Sequence, residues 1–206
     1  MINAGHGGIT PNGVYTTAPN KMYKFDDDFV SYEGVINRQI AEKLYHQLQK
    51  LKIDFSLIHD NYIDTPLSQR SELVNKVYNK NKLVYKKESI LLELHSNASV
   101  NHDGKGIEVW TSPGQTKSDV IAQTLCDLYK KHFPEFPFRS DTYDGDDDKE
   151  ARFWMLVKTI CPAVLVENLF FDNREEAEFL MSFDGQNRIV DCLLEWVLEI
   201  EQTKPI

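Results

Sequence analysis

The chain has 206 residues, 41% hydrophobic and 27% charged, which suits one compact domain whose core needs neither disulfides nor a structural metal to fold. Its formal net charge is -9, and with no stripe of Lys and Arg to offset that field the composition excludes a nucleic-acid backbone as partner. No run of ~18 apolar residues exists to cross a bilayer, and the three cysteines, Cys126, Cys161 and Cys192, are too few and too widely spaced for a disulfide framework or a Cys-x-x-Cys metal site. Cys161 and Cys192 read as small core residues. No basic segment followed by an apolar stretch marks a secretory signal, so the chain as written reads as made in soluble form inside the cell.

In chain order, Met1 to Ala4 predicts a very short strand running into Gly5-His6-Gly7-Gly8. Residues 9–32, with Pro11, Gly13, Pro19 and the run Asp26-Asp27-Asp28, predict a long irregular loop. From Glu33 the apolar residues Ile36, Ile40, Leu44, Leu48 and Leu51 recur at helical spacing. Ile53 to Ile58 alternates as a strand does, and a helix follows Pro66 with Thr65 or Ser68 as its cap. The apolar run Ile90 to His95 fits a strand buried on both faces, Gly106 to Thr111 fits another, and Ser118 to Tyr129 fits a helix. Residues 134–150 predict loop, with a second acidic cluster from Asp144 to Glu150; both clusters read as solvated loops rather than cation sites. Phe153 to Val157 is assigned to a strand, Pro162 to Glu167 to a buried strand, and Arg174 to Met181 and Gln186 to Glu199 to helices.

Strands alternating with helices predict an α/β fold: a single three-layer domain over 1–206, with a mostly parallel mixed sheet and helices on both faces. In such sheets, function gathers beyond the carboxyl ends of the strands. His6, His95 and Glu167 each follow a predicted strand, and Glu33 opens a helix. A hydrolytic zinc site needs three ligands from His, Asp or Glu with one position open to water, plus a separate carboxylate to move protons. The chain has one candidate for each post. Each also has a plainer reading: a histidine in a glycine turn, a carboxylate favoured by a helix dipole, a structural histidine at a strand end. Glu167 is the hardest to explain that way, because a carboxylate leaving a buried strand without a partner is costly.

The combination is more specific than its parts. With Asn3-Ala4-Gly5-His6-Gly7-Gly8, the helix sequence at 32–44, the Arg70-bearing segment 67–75, Leu94-His95-Ser96-Asn97-Ala98-Ser99, the strand at 106–110 and the segment Pro162 to Asn173 in that order, the chain resembles the zinc-dependent N-acetylmuramoyl-L-alanine amidases with a His-Glu-His metal site. The resemblance implies Zn2+ held by His6, Glu33 and His95, with Glu167 as the catalytic acid/base. It implies hydrolysis of the amide joining the lactyl group of N-acetylmuramic acid to the L-alanine of the stem peptide, with peptidoglycan as partner and the cell wall as the place of action. Such an enzyme would be an endolysin or autolysin, released by lysis or trimmed from a secreted precursor. Asn97 is assigned a role in orienting substrate, with a turn-forming role as the alternative; oligomeric state is left open.

Three departures from the family pattern stand out. The interval from His6 to Glu33 is long, so residues 9–32 look inserted, and Tyr15, Tyr23 and Phe25 make that insertion either a rim over the cleft or a plain surface loop. Ile58-His59 replaces the usual Thr-Arg, and Asn168-Leu169 replaces a small residue and a glycine after Glu167. The rivals are a zinc carboxypeptidase-like peptidase, which lacks its His-x-x-Glu near the N-terminus here, and a catalytically silent or gated peptidoglycan-binding module, which is expected to lack one of the four residues.

Overall fold

The computed structural model describes residues 1–143 and 145–203; Asp144 of the second acidic cluster lies outside them. The chain begins with β1 (Ile2–Ala4), a hairpin of β2 (Met22–Lys24) and β3 (Val30–Tyr32), and the helix α1 (Glu33–Lys50). It continues through α2 (Leu67–Lys80), β4 (Leu91–Asn97), β5 (Glu108–Thr111), α3 (Lys117–His132) and β6 (Lys149–Glu150). The last elements are α4 (Trp154–Lys158), β7 (Ala163–Phe170), α5 (Arg174–Met181) and α6 (Phe183–Thr203). The main sheet has the order β1-β4-β7-β5-β6, and every pairing is parallel except β5 against β7. This is the expected three-layer α/β domain.

Side-chain alternation sorts the layers. Leu92, Leu94, Val164, Val166, Ile107 and Val109 meet Ile36, Ile40 and Leu44 of α1, Ile121 and Leu125 of α3, and Ile189 and Leu193 of α6. The opposite face is thinner: Leu91, Ala163 and Leu165 pack with Val74 and Tyr78 of α2 and Met155 and Leu156 of α4. Each fully buried aliphatic side chain here contributes roughly 1.5–3 kcal/mol. Because both faces of β7 are covered, Ala163 to Val166 is a continuous apolar run, which in β4 is interrupted by Glu93. No helix among the described residues is long and apolar enough to cross a membrane.

Several expectations need correction. Ile53 to Ile58 forms no strand; Ile2 N–H donates to Ser56 O and Ile58 N–H to Ile2 O, and three-residue β1 gives that segment no longer edge to pair with. Phe153 to Val157 is not a strand either, since Trp154–Lys158 is helical and buries the consecutive residues Met155 and Leu156, which a strand cannot do on one face. The loop assigned to 9–32 contains the β2–β3 hairpin, and the loop at 134–150 ends in β6. His95 and Glu167 lie inside their strands rather than at the ends, because β4 runs on to Asn97 and β7 to Phe170.

Neither Thr65 nor Ser68 caps α2, whose N-cap position is Pro66. Thr116 and Asp119, by contrast, form a reciprocal capping box on α3. The second acidic cluster is not merely solvated: Asp148 is buried against Thr111 Oγ1 at 2.7 Å, and Asp147 pairs with Lys130 at 2.6 Å.

Glu176 ties the end of β7 to the loop before β5. Its two oxygens accept the N–H groups of Gly106 at 2.8 Å and Phe170 at 2.7 Å, and burial pushes its pKa up to about 7 from 4.5 despite those donors. The folded state therefore holds this proton more tightly than the unfolded chain. Its contribution to stability is complete below the unfolded value and is lost as pH rises through about 7. Urea unfolding across that interval should show the wild type losing up to about 3 kcal/mol relative to Glu176→Gln. The variant itself should be less stable at low pH, since Gln offers one acceptor where two N–H groups point; a parallel pH dependence in the two proteins would refute the assignment.

Candidate metal centre

The turn after β1 is built to carry a histidine. His6 sits in the left-handed region at φ 63°, unfavourable for a residue with a Cβ. Two guanidinium groups hold the turn's carbonyls: Arg38 donates to Gly5 O at 3.2 Å and His6 O at 2.6 Å, and Arg70 donates to Ala4 O at 3.0 Å and His6 O at 2.8 Å. Gly5 leaves room for a ring, because a Cβ there would lie 2.1 Å from His95 Cε1. His59, not expected as a ligand, accepts the Ala4 N–H at Nδ1 (3.0 Å), and burial together with Arg38 and Arg70 pushes its pKa down to about 4.

Glu33, wholly buried at the first position of α1, is where the elements meet. Its Oε1 lies 3.2 Å from His6 Nε2 and 3.0 Å from His95 Nδ1, and the two imidazole rings stand edge to face with centroids 5.1 Å apart. One ligand atom from each of the three residues lies within 4.8 Å of the others. Glu33 Oε2 is buried and has no hydrogen-bond partner, with Lys21 Nζ 3.4 Å away. Burial opposes charge on Glu33, but contacts with His6 and His95 outweigh it and hold the carboxyl far below the usual range. Burial also opposes charge on His95, yet Glu33, Glu93 and the field of Glu167 push its pKa up to about 10, while burial lowers that of His6. Two imidazoles and a carboxylate with an unbonded oxygen fit the N,N,O donor set of a hydrolytic zinc site.

Glu167 is the register partner of His95 on the adjacent strand, so the two side chains share the thinly covered face of the sheet. Its Oε2 is shut off from solvent without a hydrogen-bond partner, and burial pushes its pKa up to about 8, against the pull of His95. Asn97 does not join the cluster. Its amide donates to Glu108 Oε2 at 3.0 Å and its oxygen accepts from Ala98 N–H at 2.8 Å, so the side chain spans β5 and the following turn.

The sequence reading missed Glu93. This wholly buried residue accepts from Asn3 Nδ2 at 2.7 Å and lies 3.9 Å from His95 Nε2, facing the ring nitrogen opposite Glu33. A carboxylate there favours the orientation of a ligating histidine. The available signal was a glutamate inside the apolar run Leu91-Leu92-Glu93-Leu94. After Glu167, Leu169 adopts φ 60° while buried, the left-handed conformation that glycine takes most easily.

A cleft of about 610 Å³ opens beside the cluster, its walls including His6, Lys21, Tyr23, Ser99, His102 and Asp172. Of Tyr15, Tyr23 and Phe25, Tyr23 lines it. Tyr15 is buried, donating to Lys21 O and accepting from Gly34 N–H, and Phe25 packs against Tyr23.

A family model described as N-acetylmuramoyl-L-alanine amidase matches residues 1–198. The endolysin of Bacillus phage SPP1 is 24% identical over 211 residues, an alignment covering 98% of this chain and 66% of that protein, so the chain spans less than two thirds of its length. Among solved structures, the chain is similar to an N-acetylmuramoyl-L-alanine amidase from Clostridium difficile 630, with a TM-score of 0.75, 25% identity and coverage of 98% and 96% of the two chains. It is also similar to the catalytic domain of the CD27L endolysin targeting Clostridia difficile, with a TM-score of 0.62, 25% identity and coverage of 96% and 95%.

The approach of α1 to the His6 turn leaves no room for a side chain at Gly34, where a Cβ would lie 1.9 Å from Gly7 O. Gly34→Ala should push the turn away from Glu33 and weaken divalent-metal binding at least about tenfold, by roughly the ~1.4 kcal/mol that such a change represents. A zinc titration of the two proteins reads this directly; unchanged affinity would mean that the turn does not set the geometry.

Proposed function

The chain belongs to the N-acetylmuramoyl-L-alanine amidase family, and on that premise we propose that it is a zinc-dependent hydrolase of peptidoglycan. It cuts the amide between the lactyl group of N-acetylmuramic acid and the L-alanine of the stem peptide. The observation that carries the reading is the meeting of His6, Glu33 and His95 within 4.8 Å, beside a partnerless carboxylate on the next strand. His6, Glu33 and His95 hold the metal. When bound, zinc lowers the pKa of water and polarises a carbonyl.

Proton transfer belongs to Glu167. Its Oε2 has no hydrogen-bond partner and it stands in register with His95 of the metal cluster, so the carboxyl is placed to move a proton there. Glu167 takes a proton from the attacking water at its Oε atoms and delivers it to the departing alanine nitrogen. Glu93 and Asn3 keep the His95 ring oriented, and the Arg38 and Arg70 contacts keep His6 in its turn. The substrate and the cell-wall role as an endolysin or autolysin are supported by the endolysin likeness and the family match. Asn97, bound to Glu108, acts by shaping the turn after β4 and so the position of Ser99 in the cleft.

The decisive experiment is digestion of purified peptidoglycan with and without a chelator, read by mass spectrometry. Stem peptides beginning at L-alanine together with unsubstituted glycan, both lost with chelator, are the expected products. Cleavage inside the peptides would replace this reading with a peptidase, and no cleavage with added zinc would replace it with a silent or gated module.

Glu167→Gln should lower turnover by about 10²–10⁴-fold while the protein still binds one equivalent of zinc. His95→Ala should lose the metal. Zinc retained at one equivalent in His95→Ala, or lost in Glu167→Gln, would show that the roles are misassigned.

A further inference from the structure

The inserted segment between His6 and Glu33 is a pinned wall rather than a free loop. Arg174 of α5 lies over the rings of Phe25 and Phe29, 5.4 and 4.6 Å from their centroids, and pairs with Asp27 at 2.5 Å. Tyr23 reaches across to the loop after β4 and packs on the His102 ring, with centroids 4.2 Å apart. The cleft thus lies between two segments that already touch, with His6 in its lining.

His102 is held from behind. Its Nδ1 lies 2.8 Å from Asp172 Oδ2, which also accepts the Ser99 N–H at 2.9 Å, and Asp172 is 2% exposed. Asp172 Oδ1 is buried with no hydrogen-bond partner, and His102 adopts a left-handed backbone at φ 58°. The Asp172 contact holds the ring in one orientation. A carboxylate on Nδ1 selects the tautomer in which Nδ1 carries the proton and Nε2 is an acceptor. The His102 side chain is 46% exposed, and Nε2 has no bonding partner among the described residues.

The surfaces flanking the metal cluster differ in charge. On the cleft side stand an accepting imidazole, a buried carboxylate, the Ser99 hydroxyl and a tyrosine ring, with Lys21 drawn to Glu33. On the β5 side, Arg139 and Lys149 converge on Glu108, the register partner of Glu167, at 2.5 and 2.9 Å. A stem peptide is rich in carboxylates, whereas an amino-sugar strand offers neutral hydroxyl and amide donors and apolar ring faces. We propose that the cleft between the hairpin and the loop after β4 is the glycan subsite, where His102 accepts a hydrogen bond from an N-acetylated amino sugar lying against Tyr23, and Asp172 positions His102. This rests on the peptidoglycan reading of the metal centre and adds to it the side on which the glycan strand lies.

Peptide-free oligosaccharides of alternating N-acetylglucosamine and N-acetylmuramic acid lack the scissile amide, so their binding to the zinc-loaded wild type can be measured by calorimetry without turnover. Saturable binding is expected, weakened about tenfold in His102→Ala by loss of the acceptor and again in Tyr23→Ala, which serves where the first variant fails to fold. The free stem peptide should bind both variants as it binds the wild type. No saturable binding of the oligosaccharide, equal binding by variants and wild type, or a loss confined to the stem peptide would each overturn the proposal. Because this readout needs no cleavage, glycan binding without amide hydrolysis would refute the amidase reading alone, and hydrolysis without glycan binding would refute the subsite alone.

Discussion

A carboxylate with no exposure to water is the constraint around which this molecule is arranged. Glu33 sits at the start of α1 and is shut in completely, a placement that costs several kcal/mol unless charged partners compensate. Two imidazoles meet one of its oxygens, and a lysine ammonium approaches the other. The helix dipole adds a smaller favourable field from behind. To bring those partners in, β1 must end in a turn, β4 must carry a histidine to the same spot, and the segment before the β2–β3 hairpin must bring in Lys21. Three separate stretches of chain are thereby fixed relative to one buried carboxylate, that of Glu33.

Rigidity around that atom comes from backbone contacts more than from the cluster itself. Arg38 and Arg70 spend their donors on carbonyls of residues 4 to 6, holding a non-glycine residue in a left-handed conformation. Leu169 shows the same economy on β7, where a buried leucine occupies a glycine-like conformation just past the acid/base candidate. Neighbouring Asn168 fastens that segment, bonding Tyr129 Oη at 2.6 Å and the His95 carbonyl at 3.2 Å. Strain at such positions persists only where the surroundings over-determine them.

What could be read from the sequence was what burial imposes directly. The runs in β4 and β7 and the stripe of α1 are apolar because they are covered, so the central strands, the long helix and the layered fold were legible. His6, Glu33 and His95 stood out because polar residues at strand ends and helix starts need a reason, and the structure brings these three together. The errors lie where local pattern and tertiary need diverge. Ile53 to Ile58 alternates well but finds only a three-residue neighbour. Phe153 to Val157 has strand-like residues, yet the thin face of the sheet needs a short helix to cover it. Glu93 showed as a glutamate inside an apolar run, but its partner and that of His102 could not be read, because they lie 90 and 70 residues away in sequence.

The second face of the sheet is where its polar side chains gather. Register places Glu108, Glu167 and His95 side by side on β5, β7 and β4. Two neighbouring glutamates then receive opposite surroundings. Glu108 accepts from Asn97, Trp110, Arg139 and Lys149, so its charge is fully compensated. Glu167 has no donor at Oε2, and its pKa stands near 8. The partnerless carboxyl is left free to exchange a proton, whereas the one held by four donors is fixed as structure. The difference between them is made by residues from β4, β5, β6 and the loop before β6, none adjacent in sequence to Glu167. The acid/base role proposed for Glu167 therefore depends on the whole sheet edge, since a glutamate one strand away, Glu108, serves to hold its neighbours.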